Sequence, residues 1–151
     1  MSDDWIILIP EDARTVPASE KQAAAVKRFR ELAPAADEIE IETTEQIRFV
    51  DCGANFTRVL CPKCGRDLEI EWWQERMDED YDGSGFRLNL FKLPCCQAAC
   101  TLNELTYDWT QGFTRFSLEA MNPSIGELPK NETESFAGIL GCPLKVIFQH
   151  I

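Results

Sequence analysis

Histidine is almost missing from this chain: His150, beside the C-terminus, is the only one. A hydrolytic zinc keeps an open position and takes His or carboxylate ligands next to a general base, so a His-rich catalytic centre is excluded. A Ser-His-Asp or Cys-His site would have to use His150, which at a chain end reads as a solvated surface residue. No His-x-Glu occurs, and Cys61-Pro62-Lys63-Cys64 lacks the preceding proline of a deaminase-like site. Gly83-Ser84-Gly85 is followed by no Lys-Ser or Lys-Thr, which excludes a phosphate loop. The expectation is a protein that is not an enzyme.

Long apolar runs are missing as well. Nothing approaches the ~20 residues of a membrane span. The start, Met1-Ser2-Asp3-Asp4-Trp5, has no basic n-region, so the expected compartment is cytoplasmic. Basic residues are scarce: 15 against 26 acidic, for a net charge of −11. Nucleic-acid affinity comes largely from basic side chains displacing counterions, so this balance argues against a nucleic-acid partner. It suits solubility or a basic protein partner.

Cysteine, in contrast, is plentiful. Seven cysteines, an odd number, point to reduced thiols and a metal rather than a disulfide framework. Cys61-Pro62-Lys63-Cys64-Gly65 has the C-P-x-C-G form of a zinc knuckle, in which a tight turn aims two thiolates at one metal. Thirty residues separate Cys64 from a second cluster, Cys95-Cys96 with Cys100, room for a strand, a helix and a returning strand. Zinc takes four soft ligands, and the two clusters offer five. Cys95 with Cys96 needs a bent backbone, whereas Cys96 with Cys100 would share a helical turn. Cys52 lies close enough in sequence to approach. Cys52, Cys95, Cys100 and Cys142 also read as small buried hydrophobes.

Periodicity supplies the elements. Trp5–Ile9 is a buried strand stopped by Pro10. Ser19 and Gln22 have the spacing of a capping box before a helix carrying Ala25, Val26, Phe29, Leu32 and Ala33. Ile39 and Ile41 alternate with Glu38, Glu40 and Glu42, and Ile47–Val50 reads as the hairpin partner after a turn at Thr44-Glu45-Gln46. Phe56–Leu60 is a strand running into the knuckle. Ile70, Trp72, Trp73 and Met77 fit a helix ended by Gly83-Ser84-Gly85, followed by a strand over Phe86–Phe91. Leu102, Leu105 and Tyr107 mark a short turn or helix, and Phe113–Leu118 a strand. Asn131 and Glu134 resemble a second capping box, opening a helix through Phe136, Ile139 and Leu140. Leu144–Phe148 is the last strand. This mixed order without βαβ units predicts an α+β fold, a mostly antiparallel sheet with flanking helices and a zinc-ribbon-like subdomain at about 52–100. No linker divides residues 1–151, which read as a single domain, and no internal repeat is visible.

Asp4–Pro10, Arg48–Gly53 with Asn55-Phe56, Cys61-Pro62-Lys63-Cys64, Leu93-Pro94-Cys95-Cys96 and Leu140–Leu144 together resemble an uncharacterised bacterial family of small acidic proteins with a CPxC…PCC zinc-ribbon-like element. The resemblance spans nearly the whole chain and implies a structural zinc held by Cys61, Cys64, Cys95 and Cys96, with Cys100 left out. In that family the second cluster looks like Pro-Cys-Cys-Gly. Here Gln97 stands in place of the glycine.

The stretch from Asp67 to Asp82 holds eight carboxylates and one arginine, with Trp72, Trp73 and Tyr81 interleaved. It reads either as a solvated helix whose tryptophans pack over the zinc element, or as an acidic, aromatic face for a basic partner. Two functions follow: a non-catalytic, zinc-stabilised binding protein, such as an immunity protein or toxin inhibitor, or a thiol-dependent redox protein using Cys61 and Cys64.

Overall fold

The computed structural model describes residues 2–151. In chain order its elements are β1 (Asp4–Pro10), α1 (Ser19–Leu32), β2 (Glu38–Val50), β3 (Arg58–Leu60), β4 (Asp67–Leu68), α2 (Ile70–Asp80), β5 (Phe91–Lys92), β6 (Ala99–Cys100), a 3-10 turn (Leu102–Glu104), β7 (Thr106–Asp108), β8 (Gly112–Met121), α3 (Lys130–Leu140) and β9 (Leu144–His150). Three helices and antiparallel sheets make the fold α+β.

The main sheet runs β2-β8-β1-β9, every pair antiparallel. β1 is apolar on both faces because both are covered. Ile6 and Leu8, with Leu118 and Ala120 of β8, pack under α1 and α3. Ile7, Ile9 and Ile147 meet Val50 and Cys52 on the opposite face. Each fully buried Leu, Ile or Phe side chain contributes roughly 1.5–3 kcal/mol. The two helices lock through Phe29 and Phe136, ring centroids 5.1 Å apart, and through Arg28, which donates to both carboxylate oxygens of Glu132 at 2.7 Å.

A second body carries the cysteines. β4-β3-β7 form a three-stranded sheet and β5-β6 a two-stranded one. They share a core of Val59, Leu68, Trp73, Leu93, Cys100, Leu102 and Tyr107, with Ile47 and Phe113 contributed by the main sheet. The third strand, β7, lies beyond residue 100, so this ribbon-like body extends to Asp108. Cys52 belongs to the core beneath β1 and β9 instead.

Several local expectations are corrected. The hairpin over 39–50 is one strand: both halves of β2 pair with β8, and the register shifts between Thr43 and Arg48. The turn-like residues form a bulge, where Thr44 Oγ1 donates to the Gln46 carbonyl and Arg115 Nε to the Thr44 carbonyl. The strand over 86–91 shrinks to Phe91–Lys92. The buried Asp80 carboxylate takes the N–H groups of Arg87, Leu88 and Asn89 at 2.8–3.0 Å, and Leu88 sits at φ +56°. Successive amides curled around an anion form a nest, which removes them from sheet pairing. The strand over 56–60 begins only at Arg58.

Neither expected capping box forms. The helices begin at Ser19 and Lys130, after extended Ala18 and Pro129, and no side chain caps them. Gln22 donates instead to the Pro17 carbonyl at 2.7 Å. The capping box that does form is Thr101 with Glu104, on the 3-10 turn.

Candidate metal centre

β3 delivers Cys61 to a turn closed by two backbone hydrogen bonds, Cys61 N–H to Arg66 O at 2.8 Å and Gly65 N–H to Cys61 O at 3.0 Å. Gly65 sits at φ +75°, a conformation glycine adopts without steric cost. The turn points the N–H groups of Lys63 and Cys64 at Cys61 Sγ, each 3.3 Å away.

The same frame recurs between β5 and β6. Leu93 N–H donates to Ala98 O at 2.8 Å and Gln97 N–H to Leu93 O at 2.9 Å. Gln97 occupies the left-handed position at φ +63°. The flanking strands pair alike, Val59 with Leu68 and Phe91 with Cys100. Leu93-Pro94-Cys95-Cys96-Gln97-Ala98 thus follows the path of Cys61-Pro62-Lys63-Cys64-Gly65-Arg66, so the ribbon contains a backbone repeat that the sequence conceals. The first cysteine position of the second frame holds the fully buried Leu93. Its thiol comes from Cys95, at the position of Lys63.

The two turns face each other. The Sγ atoms of Cys61, Cys64, Cys95 and Cys96 all lie within 4.8 Å of one another. Cys61 is 3.8 Å from Cys96, and Cys64 is 3.4 Å from Cys95. A tetrahedral zinc with Zn–S bonds of ~2.3 Å sets its sulfurs about 3.8 Å apart, so the donor set fits such an ion.

The electrostatics point the same way. Burial raises the Cys61 thiol, but the N–H groups of Cys64 and Lys63 and the neighbouring thiols outweigh it and hold the pKa down at about 6. Cys95 is pushed up to about 12, first by burial, then by its contacts with Cys64, Cys61 and Cys96. Four thiols at this spacing cannot all ionise without a cation among them. A divalent ion resolves that conflict.

The remaining cysteines stand apart. Cys100, on β6, is buried in the ribbon core, and burial followed by the charges of Glu104 and Cys61 raises it to about 11. Cys52 and Cys142 are also raised by burial. His150 takes no part in the cluster. Its Nδ1 lies 2.6 Å from Asp4 Oδ1 at the far end of the main sheet.

On α2 the adjacent tryptophans turn inward. Trp73 is 8 % exposed and donates its indole N–H to Tyr107 Oη at 3.2 Å. Trp72 is half-buried against Phe91, with the Arg76 guanidinium 5.8 Å from its ring centroid. Glu71, Glu75, Asp78 and Glu79 stay exposed along the outer face.

No family model matches the chain, and neither a curated protein nor a solved structure is similar to it.

Proposed function

We propose that this is a non-catalytic binding protein, stabilised by a structural zinc, that recognises a basic protein partner through the acidic outer face of α2. The observation that carries the zinc half is the closed set of four thiols within 4.8 Å, presented by two backbone-locked turns. Cys61, Cys64, Cys95 and Cys96 would hold the ion, which supplies folding free energy to a body with short strands and a small core. Four sulfur ligands fill a tetrahedron and leave no position for substrate. The partner half is supported by the net charge of −11 and by the four carboxylates aligned on α2, with Tyr81 exposed at its end. Such a face steers a basic partner electrostatically. An immunity protein or inhibitor of a basic bacterial toxin, acting in the cytoplasm, is the role this chemistry fits.

Metal analysis of native protein purified without added metal tests the first half: about one zinc per chain with four protected thiols is expected. Metal-free protein with freely alkylated cysteines refutes it. Reversing Glu71, Glu75, Asp78 and Glu79 to lysine tests the second half, and should abolish co-purification of a basic partner. Undiminished capture by the reversed protein would refute that face.

The second reading is a dithiol redox protein using Cys61 and Cys64. It is supported by the exposure of Cys64 beside a Cys61 thiol that accepts two backbone N–H groups. Reversible oxidation of that pair in metal-free native protein would favour it.

A further inference from the structure

A cavity lies away from the cysteines, at the end of the main sheet where β1 begins and β9 ends. It measures about 450 Å³ and is lined by the start of β1, the end of β9, the β8–α3 loop, and the loops carrying Asn55 and Trp109. Besides main-sheet residues its lining takes in Asn55 and Trp109. Gly53 lets the chain before Asn55 lie close against β9, since a Cβ there would collide with the His150 carbonyl.

Three features define what this cleft takes. Its lining includes the carboxylates of Asp4 and Glu127 and no lysine or arginine. Asn122, also in the lining, donates Nδ2 to Asp3 Oδ1 at 3.0 Å and to Asp37 Oδ2 at 2.8 Å, two carboxylates outside the lining itself. Among the described residues no lysine or arginine pairs with any of these four; Asp4 has only His150. Two carboxylates in a concave lining that holds no lysine or arginine focus negative potential there.

The second feature is aromatic. Trp5 and Trp109 both line the cleft, and Trp109 is 48 % exposed, unlike the tryptophans of α2. The third is backbone strain. Of five non-glycine residues at positive φ, three line this cleft: Trp109 at +26°, Asn122 at +46° and Ser124 at +57°. Strain of this kind persists where surrounding structure imposes it, and it concentrates at binding sites.

From these we infer that the cleft is a receptor for a guanidinium group, the arginine side chain of a basic partner. A guanidinium is planar, stacks on an indole face and directs its N–H fork sideways to carboxylates. An ammonium ion would use the charge but not the ring, and an apolar side chain would use the ring but not the charge. His150, fixed to Asp4 through Nδ1, holds that carboxylate at the wall. The biological occupant rests on the reading of a basic partner; binding of the guanidinium does not depend on α2.

The test uses arginine amide and its uncharged analogue citrulline amide, titrated into the intact metal-loaded protein and followed by NMR. Arginine amide should shift the Trp5 and Trp109 indole and Asn122 side-chain signals saturably, and citrulline amide should bind at least about tenfold more weakly. Asp4→Asn with Glu127→Gln, and separately Trp109→Ala, should each weaken binding by about tenfold or more while amide signals elsewhere stay unmoved. Equal binding of the two amides, shifts confined to α2, or no saturable shift would overturn the assignment. Because the probe is a small molecule, a negative result leaves the α2 face untouched. Equally, failure of the α2 charge reversal leaves this result standing.

Discussion

Gln97 and Asp80 carry the clearest consequences of single side chains. Gln97 holds the left-handed position of the second knuckle at φ +63°, where its counterpart in the first knuckle is Gly65. A residue with a Cβ is strained there by about 1 kcal/mol, so Gln97→Gly should raise stability by about 1 kcal/mol in denaturant unfolding of the metal-loaded protein. Gly65→Ala should lower it by a similar amount: no atom lies within 4 Å of the added Cβ, so only the backbone term acts. If both substitutions prove neutral, the knuckles are not held in this conformation. Asp80 is buried and accepts three backbone N–H groups, so Asp80→Ala should cost about 3 kcal/mol. A loss below about 1 kcal/mol would mean that the nest is satisfied in some other way. Asp82 is held below its ordinary 3.8 by the N–H groups of Ser84 and Gly85 and then by Arg87; Asp108 is held down by Arg58 and then by the Trp109 N–H. Each folded value lies under the unfolded one, so each group's contribution is full above about 4. It is lost as pH falls through the folded value. Protection of the Ser84–Gly85 and Trp109 amides, relative to their intrinsic exchange at each pH, should therefore fall at acid pH before the main sheet loosens, and Asp82→Asn should remove that step at Ser84–Gly85.

Elements that carry their own punctuation were legible in the sequence; elements defined by their partners were not. β1, α1, α2, β8, α3 and β9 each have an apolar run or period with a proline or glycine near one end, and all stand near their expected places. The two halves of β2 have the pattern of a hairpin, but whether such halves pair with each other or with a third strand is long-range information, and β8 supplied the third strand. The alternation over 86–91 likewise says strand, yet a buried carboxylate on the preceding helix claims the amides. In the metal centre, Cys61 and Cys64 follow from their spacing. Cys95 and Cys96 do not follow from the residues alone, because the turn that unites them closes on a glutamine in a conformation that signals itself only when glycine occupies it. The repeat makes that logic testable. Cys95→Ser removes one thiol of four and should weaken zinc binding by more than the roughly 10–100-fold lost with an outer partner. Adding Leu93→Cys restores a thiol at the position equivalent to Cys61, and should recover stoichiometric metal at some cost in stability from the smaller core side chain. Unimpaired metal content in Cys95→Ser alone would mean that Cys95 is not a ligand.

At the scale of the whole molecule, the ribbon-like body and the main sheet are built differently, and metal removal should separate them. The main sheet and its two helices bury a contiguous core that contains none of the four clustered thiols. The ribbon relies on strands of two or three residues, too short to hold alone. The join between the bodies is aromatic: Phe49 and Phe113 of the main sheet meet Trp73 and Phe86 of the ribbon with ring centroids 5.0–6.0 Å apart. Chelation of metal-loaded protein should therefore speed amide exchange throughout 58–108, leave β1, β9 and the α1-facing part of β8 protected, and produce intermediate protection at Phe49 and Phe113, which lose partners on one side only. Cys61→Ser should reproduce that pattern without chelator. Uniform loss of protection across both bodies would mean that the aromatic join binds them into one cooperative unit. Retained protection in 58–108 after chelation would mean that the four thiols stabilise nothing. The arrangement also relates the two proposed binding surfaces: α2 packs on the ribbon-like body, whereas Asp4 and Trp5 of the Trp109 cleft lie on β1. Metal removal should accordingly abolish recognition through α2 while lowering arginine-amide affinity only by the share that Trp109, on the β7–β8 turn, contributes.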